Sequence, residues 1–299
     1  MKIYLDGQLV PRDEAKVSVF DHGFLYGDGV FEGIRVYNGR IFRLDAHLER
    51  LWRCAKAIML EPPMSKAEFG RAIEETVIAN AMPNGYVRAI FSRGPGDLGL
   101  DPRKCSKPTT VVIADTIKLY PPAVYEHGME CVTVSTRRSR PDVLSPAIKS
   151  LNYLNHILAK IECNRAGVPE CIMLNDRGLV AECSADNVFI YARDYSGRAE
   201  LRTPPITAGS LEGITRDAVM QIAAELGIQP SWLEELAGDP RRGSPSRSQA
   251  GQAATTGQAV ASPADLAFEN ARLRRELERP RMEHDALKKA IGLFAEGPR

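Results

Sequence analysis

The sequence predicts an α+β fold in two halves, and three observations carry that prediction. Strand-like runs come in pairs closed by tight-turn dipeptides, Asp6-Gly7 and Asn38-Gly39. Amphipathic helical runs separate the strand pairs, so the apolar period switches between two and about 3.6 residues along the chain. The pattern restarts after Pro121-Pro122, which divides an N-terminal α+β domain (1–120) from a second α/β domain (121–237).

Ile3–Val10 reads as a hairpin whose Asp6-Gly7 pair supplies the positive φ values of a tight turn. The next stretch, FDHGFLYGDGVFEGIRVYNGRIFRL, carries Gly23, Gly27, Gly29 and Gly33 too densely for a plain helix. Its aromatics suggest a pocket wall, and its second half reads as a hairpin turned at Asn38-Gly39. From Asp45 as N-cap, DAHLERLWRCAKAI is an amphipathic helix that turns Leu48, Leu51, Trp52, Ala55 and Ile58 inward. Lys66–Asn80 is a second helix. Tyr86–Ser92 and Pro108–Asp115 are strands around the glycine- and proline-rich loop RGPGDLGLDPRKC.

Beyond Pro122, Met129–Ser135 is predicted as a strand, followed by a helical run that Lys149 opens. An apolar face of Leu151, Leu154, Leu158 and Ile161 is expected to anchor that helix by packing. Glu170–Leu174 and Asn187–Tyr191 are further strands, with a turn at Asp176-Arg177-Gly178 between them. TPPITAGSLEGITRDAVMQIAAELGI then passes from a loop into a strong helix.

At about Gly238 the composition breaks. Residues 238–262 hold no aromatic and a single large aliphatic, Val260, too little to bury, and read as a disordered linker. Residues 263–295 read as a helical, coiled-coil-like tail started by Ser262, Pro263 and Asp265. Leu266, Leu273, Leu287 and Phe294 recur at heptad spacing, and Leu277 and Ile291 fill part of the second seam. Pro280 interrupts the first seam, so a kink between two short helices is expected there.

At 299 residues, 44% hydrophobic and 26% charged, the composition is that of an ordinary soluble protein with one large core or two medium ones. A net charge of +1 gives no global electrostatic reason to expect nucleic acid or a membrane surface as partner. Cys54, Cys105, Cys131, Cys163, Cys171 and Cys183 are scattered without a C-x-x-C pair. That suits reduced thiols in a cytoplasm better than a disulfide framework or a zinc site. MKIYLDGQLV lacks the apolar core of a signal peptide, and no apolar run reaches bilayer length, so a cytoplasmic protein is expected.

The chemistry centres on PAIKSLNYLNHILAK. Lys149 sits where a strand-like run, CVTVSTRR, gives way to a helical one, a junction from which a side chain can enter a cleft. An amine in a dry, partly apolar site loses its proton and attacks carbonyls. Glu182, in GLVAECSADNVFI, lies between two strand-like segments, as a carboxylate able to hold a ring nitrogen protonated or as a solvated turn residue. In GSLEGITRDAV, Ile214 and Thr215 open a helix after Gly213, where free N–H groups, the dipole and the threonine hydroxyl can seat a phosphate. Arg50 in HLERL is a cation able to clamp phosphate oxygens, or a solvated-face arginine. Tyr153, four residues after Lys149, falls on the same helix face, as a phenol for a ring hydroxyl or as a half-buried core residue.

Together these stretches resemble the class IV, fold-type IV, pyridoxal-phosphate aminotransferases. The resemblance runs from Met1 to about Ile228 through YGDGVFEGIRVY, HLERL, YVRAIFSRG, RGPGDLGLDPRKC, KSLNYLNHILAK, VAECSADNVF and LEGITRDA, in that order. YGDGVFEGIR and GDLGLDPRKC look most like branched-chain amino acid aminotransferases. The resemblance implies pyridoxal 5'-phosphate as cofactor, Lys149 as the lysine of the internal aldimine, Glu182 at the pyridine nitrogen and Tyr153 at the ring O3′. It implies phosphate contacts from Arg50, Leu211, Ile214 and Thr215. It also implies a substrate pocket or rim from Tyr26, Phe31, Gly33, Arg35, Tyr86 and Arg88. The implied reaction is transamination between leucine, isoleucine or valine and 2-oxoglutarate, in a homodimer or higher homo-oligomer. A D-amino acid aminotransferase and an aminodeoxychorismate lyase share the scaffold and are the enzymatic alternatives.

After Ile228 the sequence departs from that pattern. Relatives continue through further strands and a second phosphate loop, which are not found here. Instead, SPADLAFENARLRRELERPRMEHDALKKAIGLFAE resembles the leucine-zipper end of the first-frame protein of IS3-type insertion elements. A truncated second domain is therefore expected, with exposed apolar surface and weakened cofactor binding. A competing reading is an impaired hybrid whose one working module is the coiled-coil tail.

Overall fold

A computed structural model describes residues 1–116, 120–193 and 196–233. The linker and the zipper-like tail expected over 238–295 lie outside the described residues. Among the described residues, no helix is long and apolar enough to cross a membrane.

Local backbone chemistry sets the first elements. Asp6 and Gly7, at φ 47° and 99°, fold β1 (Lys2–Leu5) back on β2 (Gln8–Pro11). A short helix, α1 (His22–Tyr26), closes on Gly27 and leads into β3 (Gly29–Tyr37). Asn38 and Gly39, at φ 48° and 75°, turn β3 into β4 (Arg40–Ile41). Two helices follow, α2 (Leu44–Ala57) and α3 (Lys66–Ala79), then β5 (Gly85–Ser92) and β6 (Thr109–Asp115). These strands form one antiparallel sheet in the order β2-β1-β6-β5-β3-β4.

The pleat sends alternate side chains to opposite faces. Val30, Ile34 and Val36 of β3 and Val87, Ala89 and Phe91 of β5 are fully buried against Leu51 and Ala55 of α2 and Phe69 and Ile73 of α3. Each large side chain so buried contributes about 1.5–3 kcal/mol. The other face of the same strands carries Phe31, Gly33, Arg35, Tyr86 and Arg88. Asp45 is not the N-cap of α2, as the sequence suggested. Arg43 holds that position at φ 47° without a side-chain cap, and Asp45 supplies negative charge in the first turn.

The second half comprises α4 (Pro122–His127), β7 (Cys131–Thr133), α5 (Leu154–Ala166), β8 (Glu170–Leu174), β9 (Val180–Cys183), β10 (Ile190–Arg193), β11 (Ala199–Thr203), α6 (Ile214–Glu225) and β12 (Gln229–Trp232). They build two three-stranded sheets, β7-β8-β9 and β10-β11-β12. In each, one pair is parallel and spanned by a helix: β7 with β8 across α5, β11 with β12 across α6.

Four expectations need correction here. Glu182 lies within β9, opposite Met173, not between strands. The strand expected at Asn187–Tyr191 begins later, at Ile190, because Cys183 N–H turns back to Asp186 O at 2.9 Å and the chain bends first. The Lys149 helix starts at Leu154, and Lys149 itself lies in an extended stretch paired with the start of β3 through Phe31 N–H to Lys149 O, 3.0 Å, and Leu151 N–H to Gly29 O, 2.9 Å. Finally, α5 is not anchored by its large aliphatics. Leu154, Leu158 and Ile161 are 65%, 46% and 41% exposed. Small residues, Ala159 and Cys163, make the face that meets Cys171 and Met173 of β8, because only they let helix and sheet approach closely.

Candidate active site

Lys149 is carried into a cleft by the extended stretch on β3 and the tight turn that follows, where Tyr153 N–H bonds Leu151 O at 2.9 Å. That turn brings Tyr153 Oη to 2.8 Å from Lys149 Nζ, although Lys149 precedes the helix that Tyr153 caps. The amine also lies 4.6 Å from the centre of the Phe31 ring. Burial first, then the Arg50 and Arg88 guanidiniums, push the Lys149 amine down to about 8, against the opposing pull of Glu32 and Glu182. A neutral, nucleophilic amine is thus within reach near neutral pH. Tyr153 is pushed up to about 12, mainly by burial and then by the Glu182 charge, so its phenol stays protonated. It stacks on His156 at 4.4 Å and meets Phe31 edge-on at 4.8 Å.

Glu182 enters from the floor of the cleft on β9 and is 4% exposed. Leu211 N–H donates to its Oε2 at 2.9 Å. Arg138 Nε lies 2.7 Å from its Oε1, but the N–H points to Gly209 O, so Oε1 pairs in charge while receiving no aligned hydrogen bond among the described residues. Burial pushes the Glu182 carboxyl up, opposed by Arg138, the Leu211 N–H and Lys149. Arg138 Nη1 donates to Asn155 Oδ1 at 2.9 Å and to His156 Nε2 at 3.1 Å. His156 Nδ1 faces Ser184 O at 2.7 Å. A carbonyl only accepts, so Nδ1 carries the proton and Nε2 offers its lone pair to Arg138. Burial and then Arg138 hold His156 down to about 4, neutral at physiological pH.

Arg50 reaches the cleft from α2. Its Nε and Nη2 bond Glu32 Oε1 and Oε2, both at 2.6 Å, and its Nη1 donates to Glu212 O at 2.7 Å. Glu212 precedes Gly213, the N-cap of α6, which brings no side-chain cap. The first N–H groups of that helix are therefore open to an anion. A side chain at Gly213 would collide with Asn187 Oδ1, so close backbone approach explains the glycine. Ile214 is buried and Thr215 exposed, while the Leu211 N–H is engaged by Glu182.

The sheet face opposite supplies Phe31, Gly33, Arg35, Tyr86 and Arg88. Arg88 lies 4.5 Å from the Phe31 ring centre and 5.3 Å from that of Tyr86. Tyr86 Oη crosses Gly33 so closely that no Cβ fits there. Burial raises the Tyr86 phenol. Arg35 packs over Tyr37 at 5.2 Å, and its buried Nε has no hydrogen-bond partner among the described residues. Tyr26 stands apart from these contacts, in α1, with Oη donating to Leu98 O at 2.7 Å in the glycine-rich loop.

Lys149, Tyr153, Glu182, Arg50, Phe31 and Arg88 are thus brought together from five segments of the chain. Sequence reasoning missed Glu32, His47, Arg138 and His156. Glu32 did leave a signal, as a charged residue at an inward strand position between Val30 and Ile34. Arg138 and His156 left none, since their side-chain hydrogen-bond partners lie 17 or more residues away.

Residues 29–236 match the family described as amino-transferase class IV. A Methanocaldococcus jannaschii protein provisionally named a branched-chain-amino-acid aminotransferase is 50% identical over 240 residues, 79% of this chain and 81% of its own. The aminodeoxychorismate lyase of Bacillus subtilis is 35% identical over 229 residues, 76% of this chain and 75% of its own. The crystal structure of a T.th. branched-chain amino acid aminotransferase complexed with N-(5'-phosphopyridoxyl)-L-glutamate matches with a TM-score of 0.70 at 35% identity, over 79% of this chain and 78% of that one.

Proposed function

Because this chain belongs to the class IV aminotransferases, we propose that it binds pyridoxal 5'-phosphate at Lys149 and transfers an amino group between an L-branched-chain amino acid and 2-oxoglutarate. One observation supports this above the others: a buried amine drawn down to about 8 lies 2.8 Å from a protonated phenol.

The residues present fit the cofactor. Glu182 Oε1 is a buried carboxylate oxygen without an aligned donor among the described residues, the complement of a protonated ring nitrogen. Arg50 and the open N–H groups of α6 suit a phosphate, with Ile214 and Thr215 at that mouth. Tyr153 suits the ring hydroxyl. When bound, pyridoxal phosphate supplies a carbonyl carbon for the amine and a ring that spreads the electron pair left when a substrate Cα loses its proton.

The chain's own residues do the remainder. Lys149, in its neutral form, takes the Cα proton and returns it, acting in turn as base and acid. Tyr153 orients that amine by its hydrogen bond. Glu182, ionised, holds a positive charge on the ring nitrogen. Arg35 and Arg88 offer guanidiniums for substrate carboxylates, and Phe31 and Tyr86 suit an aliphatic side chain while keeping water away. Gly33 leaves the room that Tyr86 occupies, and Tyr26 belongs to the rim.

The identity to the M. jannaschii protein supports branched-chain substrates. A second reading, aminodeoxychorismate lyase, is favoured by the 35% identity to the B. subtilis enzyme. Self-association as a homodimer or larger assembly is part of the proposal, supported by the exposed Phe20, Phe24, Leu98 and Leu100. The test is a purified full chain supplied with pyridoxal 5'-phosphate. Expected are a visible absorbance band that borohydride abolishes, 2-oxoglutarate-dependent turnover of leucine, isoleucine and valine, and no turnover by Lys149→Ala. Turnover of aminodeoxychorismate alone would select the lyase, and a colourless, inert protein would sink both.

A further inference from the structure

Two buried ionisable groups beside the cleft, Glu32 and His47, are assigned no step in the chemistry above. Glu32 is 1% exposed on the core face of β3, between the fully buried Val30 and Ile34. A lone carboxylate there would be costly, so its partners matter. Arg50 supplies two parallel bonds, Nε to Oε1 and Nη2 to Oε2, both 2.6 Å, and His47 Nδ1 approaches Oε2 at 2.8 Å. The fork–fork geometry fixes the plane of the guanidinium as well as its position.

That plane has a direction. Arg50 Nη1 donates to Glu212 O at 2.7 Å, the residue just before the Gly213 cap of α6. A guanidinium has five N–H groups, and three are committed to Glu32 and Glu212. The remaining two, one on each Nη, have no hydrogen-bond partner among the described residues. Left without Glu32, this long side chain would sample several rotamers, and an anion would have to order it on binding. Glu32 also carries the same charge as a phosphate, so orientation and repulsion oppose one another.

We propose that Glu32 and His47 are positioning residues for the cofactor phosphate, locking Arg50 so that its two free N–H groups and the mouth of α6 address one anion. The inference rests on the reading that the chain binds pyridoxal 5'-phosphate. Orientation would outweigh repulsion because the guanidinium charge would offset that of the carboxylate at any anion held by Arg50.

The test compares equilibrium binding of pyridoxal 5'-phosphate and of pyridoxal, which lacks the phosphate, by full-length unmodified chain, Glu32→Gln and His47→Asn. Absorbance of the bound aldehyde reports each. Glu32→Gln should weaken the phosphate form about tenfold or more, and His47→Asn several-fold, while pyridoxal affinity holds within about twofold. Equal losses for both aldehydes would make the cluster merely structural and overturn the inference. Unchanged or tighter binding of the phosphate form would overturn it too. Should Glu32→Gln fail to fold, His47→Asn carries the same comparison, and each of its outcomes decides in the same way. Failure of the unmodified chain to bind either aldehyde would instead overturn the cofactor reading, and this inference with it.

Discussion

Arg138 Nε lies 2.7 Å from Glu182 Oε1, with both side chains 5% exposed, in a cleft floor that holds no other cation so close to that carboxylate among the described residues. Burial drives the Glu182 carboxyl upward and Arg138 is the largest force against it. Replacing Arg138 by Met removes that opposition. The ionised form of Glu182 is then lost at a higher pH, so activity falls earlier as pH is lowered. The acid limb of the kcat/KM profile should move up by about 1–2 pH units, with partial return in Arg138→Lys. A limb that stays in place, with activity lowered equally at all pH values, would assign Arg138 a structural role only.

Lys149 gives a prediction of opposite sign for stability. Its amine titrates near 8 in the fold against 10.5 in the open, mainly because burial disfavours the charge. The protonated amine therefore costs the cofactor-free fold about 3 kcal/mol at neutral pH. That cost fades as pH rises from 8 to 10.5. Lys149→Met should thus raise the unfolding midpoint at pH 7 while abolishing turnover, and the gain should shrink towards pH 10. Urea unfolding at the two pH values measures both, and a destabilised Lys149→Met protein would contradict the burial.

Gly33 and Tyr86 form a size-matched pair, since a side chain at Gly33 would strike the Tyr86 phenol. Gly33→Ala should raise KM for aliphatic substrates several-fold, with a smaller change in kcat. Adding Tyr86→Leu should recover part of the loss. The double-mutant coupling expected for a direct contact is about 0.5–3 kcal/mol, and additive effects would mean the clash is relieved elsewhere.

The aliphatic ridge of α5 predicts behaviour in solution. Leu154 and Leu158 are 65% and 46% exposed, so replacing both by Gln should change unfolding free energy by no more than about 0.5 kcal/mol each. Light scattering should show less non-specific association at raised concentration. A large loss of stability would mean that this ridge is covered.

Much of the framework is local and could be seen in one dimension. The Asp6-Gly7 and Asn38-Gly39 turns follow from which residues tolerate positive φ, and the start of α6 after Gly213 follows from helix chemistry. Lys149 stood out by its motif. The order around it did not, because the partners come from far along the chain. Glu32 meets Arg50 only when α2 folds onto β3, and Arg138 meets Glu182 only when β9 is paired. The neutral His156 has its tautomer chosen by a carbonyl on another segment. The apolar period of α5 said that a ridge existed, yet small residues on its other side decided which face the sheet would take. The sequence by itself determined elements whose energetics are settled within a few residues. Tertiary structure decided every property that depends on burial or on a distant charge, because desolvation and Coulomb energy exist only once the segments have met.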